Sequence, residues 1–204
     1  VTLPAQSSAR QSPARRTRLT PEREGELYEA VLGLLRENGY DALTMDAVAA
    51  RSRCSKATLY RQWQGKPRLV AAALRHHKHM PFSLDALDTG SLRGDLRELA
   101  RRFGGTRKDV ELIRAIGPAL HRDPDLARAV HDAVCRPELD VLRQIIDRAV
   151  GRGEVDPENP ALEFVPHALT GAVFARPFVE LREADTGYLE RYLEAVVLPV
   201  LVRD

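Results

Sequence analysis

The stretch CSKATLYRQW, residues 54–63, concentrates hydrogen-bonding side chains in a way few surface segments do. Read as a short helix capped by Ser55, it keeps only Leu59 and Trp63, four apart, as an apolar anchor. Lys56, Thr58, Tyr60, Arg61 and Gln62 then face outward. Such a face has no nucleophile beside a base. Its ammonium, guanidinium, amide and hydroxyl groups suit recognition of an acceptor-rich, negatively charged surface rather than covalent chemistry.

Other residues that could do chemistry point nowhere so specific. No GxSxG, P-loop, dinucleotide fingerprint or HExxH is present, and no acid–base pair stands out, which argues against an enzyme. His76 and His79 are three apart on a helix, but two imidazoles without a carboxylate or cysteine nearby do not complete a metal site. Cys54 and Cys135 lack ligand or CxxC spacing, so neither a zinc site nor a disulfide framework is expected, and no cofactor is implied. Free cysteines, no signal-peptide core and no apolar run near the ~20 residues that span a bilayer fit a cytoplasmic protein without a membrane partner.

The elements that must position the polar face can be read along the chain. Residues 1–19 hold Pro, Ser, Gln and four arginines, and form a basic disordered arm that can lie along phosphates or remain a solvated tail. Thr20, Pro21, Glu22 and Glu24 start a first helix, with Leu27, Val31, Leu34 and Leu35 inward and Asn38-Gly39 as its stop. Thr44 caps a second helix over about 45–52, Arg53-Cys54 makes a tight turn, and Ser55 caps the third. A fourth opens at Lys66-Pro67. Later stripes, such as Leu92/Leu96/Leu99/Phe103, continue at helical spacing, with Pro118 expected to kink one helix and Arg136-Pro137 to bend or break another. No period-two alternation appears, so the fold class is all-α: an N-terminal three-helix helix-turn-helix domain over residues 20–75, then a helical domain over 76–204. Charge divides with it. Residues 1–80 carry 14 Lys/Arg against 7 Asp/Glu, and residues 81–204 carry 17 against 22, a basic module on an acidic carrier.

Two short helices joined by a tight turn form a helix-turn-helix whose second helix can enter a DNA major groove. Lys56 and Arg61 can then reach guanine acceptors or phosphates, and Ala57 a thymine methyl. Thr58, Tyr60 and Lys66 suit phosphate oxygens, as does Thr44 beside the free N–H groups of the second helix. The segment GYDALTMDAVAARSRCSKATLYRQWQGKPRLV, residues 39–70, closely resembles the DNA-binding domain of TetR-family (tetracycline-repressor-like) regulators. The resemblance covers about residues 20–75. It implies that Lys56, Ala57 and Thr58 face the groove, that Tyr60, Gln62 and Lys66 touch bases or phosphates, and that Thr44 lies where the second helix meets the phosphate backbone; Ser55, the cap of the third helix, is counted with the DNA-binding residues. The family's turn usually carries glycine at positive φ. Here Arg53 takes that place, either tolerated there with a phosphate contact or set in a different turn geometry.

The resemblance further implies a homodimeric repressor on palindromic operator DNA, released by an unidentified small-molecule effector. A regulator without such a ligand is the alternative. Residues expected around an effector are Phe103, Ile113, Ile116, Leu120, Val134, Leu142, Phe164, His167 and Phe174, with His121, His167 and Arg114 as polar anchors. The dimer is expected on the small-residue stripe Ala168, Gly171, Ala172 and Ala175 and on the apolar stripe Leu189, Leu193, Val196 and Val200 of the last helix. Plain internal packing is the other reading of both sets.

Overall fold

A computed structural model describes residues 19–77, 87–104 and 109–202. The basic arm up to residue 18 lies outside these. Among the described residues the chain is helical throughout, with no strand. The helices are α1 (Pro21–Ala42), α2 (Met45–Ser52), α3 (Lys56–Trp63), α4 (Lys66–His77), α5 (Leu92–Gly104), α6 (Val110–Arg122), α7 (Pro124–Val130), α8 (Arg136–Gly151), α9 (Val165–Val179), α10 (Thr186–Tyr192) and α11 (Leu198–Leu201). The segment opened by Asn159-Pro160 begins as a tighter 3₁₀ turn, Pro160–Phe164, before becoming α9.

The local signals act as their chemistry requires. Thr20, Thr44 and Ser55 each accept a backbone N–H three residues on, from Arg23, Ala47 and Thr58, and so start α1, α2 and α3. Gly39 breaks α1 at φ 74°, ψ 174°, after which one more turn runs to Ala42. Arg53 does take the left-handed conformation, φ 52°, ψ 36°. Its N–H and that of Cys54 fold back onto Ala50 and Ala49 carbonyls at 3.4 and 3.1 Å, which closes the end of α2.

Two apolar cores result. The first holds α1–α4 around the fully buried Leu27, Val31, Leu35, Val48, Leu59, Leu69 and Val70. It extends beyond residue 75, because Leu112 and Ala119 of α6 and Leu126 and Val130 of α7 are buried in it too. The second gathers α5, α8, α9, α10 and α11 around Leu92, Leu96, Ile145, Leu193 and Leu201.

The two prolines at RP and LP are accommodated without breaking their helices. Ahead of Pro137, residues His131–Cys135 form a π turn in which Arg136 N–H reaches the His131 carbonyl. Ahead of Pro199, Leu193–Val197 do the same, with Leu198 N–H on Leu193. The motif is shared: Ala133-Val134-Cys135-Arg136-Pro137 and Ala195-Val196-Val197-Leu198-Pro199. A proline ring collides with the carbonyl four residues back, here that of Ala133 or Ala195, and each of these sits inside the widened turn. Of the bend or break expected at Arg136-Pro137, the break does not occur: a single π turn joins α7 to α8. Pro118 lies inside α6 without ending it.

Helix α6 is fastened to α1 at both ends by aspartates that also cap helices. Asp109 caps α6 through Leu112 N–H (3.0 Å) and takes the Arg36 guanidinium at 2.6 and 2.9 Å. Asp123 caps α7 through Asp125 and Leu126 N–H (both 3.0 Å) and accepts the Tyr40 hydroxyl at 2.8 Å. Burial works to raise the Asp109 carboxyl, but the Leu112 N–H, Arg36 and nearby His77 outweigh it and hold it below the ordinary aspartate value. The Leu126 N–H and Tyr40 hydroxyl lower Asp123 likewise.

Two outcomes follow for stability. Arg53→Gly should raise it by up to about 1 kcal/mol, because glycine takes the left-handed conformation without a Cβ penalty but loses more chain entropy on folding; thermal unfolding measures this, and a drop would mean that the Arg53 side chain itself holds the turn. Because the folded Asp109 and Asp123 titrate below their unfolded values, their contribution is present above about pH 4 and lost as pH falls through the lower folded values. Asn caps a helix as well as Asp does, so Asp123→Asn should keep the fold yet show a shallower acid decline in denaturant titrations, whereas an unchanged pH profile would remove Asp123 from this role.

Candidate nucleic-acid interface

The face built by α2, the turn and α3 stands on two buried side chains. Leu59 is fully enclosed, and Trp63, nearly so, meets Tyr28 of α1 edge-on at 5.9 Å. With this side of α3 fixed inward, Ser55, Lys56, Ala57, Tyr60 and Arg61 are left exposed, and Thr44 and Arg53 are exposed beside them. Tyr60 is 46% exposed, unusual for so large a ring.

Partners within the chain sort these residues. The Ser55 and Thr58 hydroxyls lie 2.8 Å apart, and Ser55 also accepts Thr58 N–H, so both maintain the start of α3. Lys56 Nζ lies 2.9 Å from the Asp46 carboxylate of α2, whose hydrogen bond and charge raise the ammonium above the ordinary lysine value. Arg51 pairs with Glu37 at 2.8 Å, and Arg23 joins Glu26 and the Ser52 carbonyl. Arg53 and Arg61 carry no partner among the described residues.

Two residues expected at DNA also have partners within the chain. Gln62 is half-buried and gives its amide N–H to Glu24 of α1, away from the exposed face. Lys66 is also half-buried: its ammonium donates to the Tyr40 carbonyl at 3.0 Å and stands 4.1 Å above the Tyr40 ring. That position gives the charge a carbonyl and a π face, and it fastens the start of α4 to the end of α1. Sequence reasoning missed Asp46, Glu37 and Glu24. Asp46 and Lys56 are ten residues apart across a turn, so no helical spacing rule pairs them; only the angle between α2 and α3 does.

The residues expected around an effector divide among several places. Ile116, Leu120 and Val134 pack against the first core, because α6 turns its apolar side to α1. Leu142 is buried in the second core and Ile113 is half-buried. Phe164, His167 and Phe174 are exposed, with His167 Nδ1 3.2 Å from the Glu163 carbonyl. The Phe103 side chain lies outside the described residues. His121 and Arg114 are exposed.

The expected dimer stripes are divided too. Ala172, Leu189 and Leu193 are 6, 5 and 2% exposed within one chain, enclosed in its second core, so they are internal packing rather than surface. Ala168 packs partly against the same core. Gly171, Ala175, Val196 and Val200 remain exposed. His76 lies against the Tyr28 ring (5.0 Å) and His77 Nε2 stands 3.5 Å from Asp109, while His79 lies outside the described residues. Among the described residues no group of three or more His, Cys, Asp or Glu is arranged to hold a metal, no helix is long and apolar enough to cross a membrane, and Cys54 and Cys135 are free thiols.

Comparison with known proteins agrees with this geometry. Residues 27–73 match the model for bacterial regulatory proteins of the tetR family, and residues 86–196 that of the tetracyclin repressor-like C-terminal domain. An uncharacterized HTH-type transcriptional regulator of Mycobacterium tuberculosis is 34% identical over 189 residues, 89% of each chain. The DNA-binding transcriptional repressor TetR of Mycobacteroides abscessus is 34% identical over 193 residues, 89% of this chain and 94% of that one. Among solved structures, the flavonoid-responsive regulator FrrA superposes with a TM-score of 0.64 at 25% identity, covering 86% of this chain and 93% of that one. A crystallised TetR-family transcription regulator gives 0.62 at 26%, covering 89 and 100%. The chain belongs to the TetR family of DNA-binding transcriptional regulators, which are not enzymes.

Proposed function

We propose that the protein acts as a homodimer on a palindromic operator, with α3 of each subunit in the major groove and a small molecule controlling release. The observation that carries the DNA half of this reading is the exposed row Lys56, Ala57, Tyr60 and Arg61 on a helix fixed by Ser55 at its start and by Leu59 and Trp63 underneath. Arg53, Thr44 and the N-terminal end of α2 flank it and suit backbone phosphates. Lys56 and Arg61 supply base-edge donors. One short helix reads few base pairs, so useful selectivity calls for two.

An exposed apolar surface supports the dimer. Phe174 (41% exposed) lies on α9 with Gly171 and Ala175, and Val196 (42%) and Val200 (54%) lie on the α10–α11 segment packed beside it. Helix α9 is apolar on its inner and outer sides alike, which suits a helix covered from both. For control by a ligand, the support is mechanical. The π turn carries α7 into α8 without a break, so a continuous helical segment joins the two cores. A ligand that shifts the second core would move α6 and α7, and with them the Arg36–Asp109 and Tyr40–Asp123 ties to α1. FrrA, named for its response to flavonoids, supports the same reading. A regulator without a small molecule is favoured by one observation, the spread of the residues expected around an effector over several places. A ligand-dependent rise in melting temperature separates the two.

Selection from a randomised duplex pool should recover an inverted repeat whose half-site centres lie about 34–36 Å apart; recovery of single, unpaired sites would contradict the dimeric reading. Arg61→Ala should weaken binding to the recovered duplex while leaving the melting temperature unchanged, and unaltered affinity would take Arg61 out of the interface. Phe174→Glu combined with Val200→Glu should sediment as a folded monomer and lose roughly 100-fold or more in operator affinity, since the second half-site no longer binds intramolecularly. A fully dimeric double variant would place the dimer contact elsewhere.

A further inference from the structure

Asp46 stands in the first turn of α2, with its carboxylate 2.9 Å from the Lys56 ammonium. The side chains are 72 and 50% exposed, and a pair so exposed adds little to folding. It changes what the face offers DNA. Without Asp46, the Lys56 ammonium would be open to a phosphate. With it, a carboxylate stands against that ammonium. Glu37 opposes Arg51 and Glu26 opposes Arg23 in the same manner, while Arg53 and Arg61 are unopposed among the described residues.

Phosphate and base edge differ in what they ask of a lysine. A phosphate is held mainly by charge, and binding to arbitrary DNA is almost wholly of this kind. A guanine edge presents two directed acceptors in the groove. An ammonium has three N–H donors. With one directed at Asp46, the others remain for a directed acceptor, whereas a phosphate drawn to the same ammonium meets the Asp46 carboxylate.

We propose that Asp46 is a specificity-determining residue: by pairing with Lys56 it denies that ammonium to the phosphates of arbitrary DNA and reserves it for a base edge of the operator. The proposal rests on the reading of α3 as the groove helix. It is tested by anisotropy titrations of the full chain against two probes, a 30-bp mixed-sequence duplex and the duplex that the wild type recovers from a randomised pool. Asp46→Asn should bind the mixed-sequence duplex roughly tenfold more tightly at low salt, and its log–log salt dependence should steepen by about one for each recognition helix engaged. Affinity for the recovered duplex should rise less, so the ratio of the two affinities falls. Asp46→Glu should retain the wild-type ratio, and in a Lys56→Gln background Asp46→Asn should lose its effect. Asp46→Ser, which also suits a first helical turn, repeats the measurement should the Asn variant fold poorly. An unchanged ratio in the folded variant, whether both affinities rise equally or neither moves, overturns the proposal while leaving the groove reading intact. If Lys56→Gln itself changes binding to neither probe, the assignment of Lys56 to the groove fails and the proposal falls with it.

Discussion

Tyr40 ties the end of α1 both to the start of α4 and to the corner between α6 and α7. Positive φ at Gly39 breaks α1 and turns the next residue into the first core, where Tyr40 is 3% exposed. Three contacts then meet on one side chain and its carbonyl. The carbonyl and ring hold Lys66 at the start of α4, one turn beyond the end of α3. The hydroxyl reaches Asp123 at the corner between α6 and α7. Burial and the Asp123 carboxylate both raise this hydroxyl above its ordinary range, so it stays a donor at any pH the protein meets. The start of α4, just beyond α3, and the corner between α6 and α7 are therefore linked through Tyr40.

Around α3 the electrostatics are balanced rather than maximally positive. Exposed pairs such as Arg51–Glu37 contribute little to folding. Their larger effect falls on binding, where each cation freed for a phosphate strengthens the hold on every sequence alike. A sequence-reading regulator has to leave the many wrong sites of a genome, so restraint on its phosphate contacts is as consequential as the contacts themselves.

How much of this was legible in the sequence varied with the range of the interaction. Caps and turns are local: Thr20, Thr44 and Ser55 accept the N–H groups their positions implied, and α2 and α3 begin beside them. The left-handed turn residue was legible too, because Arg53 stands where the family places glycine. The exposed face of α3 followed from Leu59 and Trp63 alone. What failed was partnership across elements. A stripe such as Leu189/Leu193 shows that a face is buried but not against what, and here the cover is α5 of the same chain. Ile116 and Leu120 were open to a ligand-lined interior or to plain core, and α6 packs them against the first core. Lys66 carries the charge of a phosphate contact, and only the path of the chain at Gly39 puts a carbonyl and a ring beneath it.

Whether α3 reads base edges from the major groove is decided by methylation interference at guanine N7 on the duplex the protein selects. N7 lies in the major groove, so methylation of guanines within each half-site should block binding, in two groups about one helical turn apart on the same side of the duplex. Binding that tolerates every N7 methylation yet is competed away by a minor-groove ligand such as netropsin would contradict it.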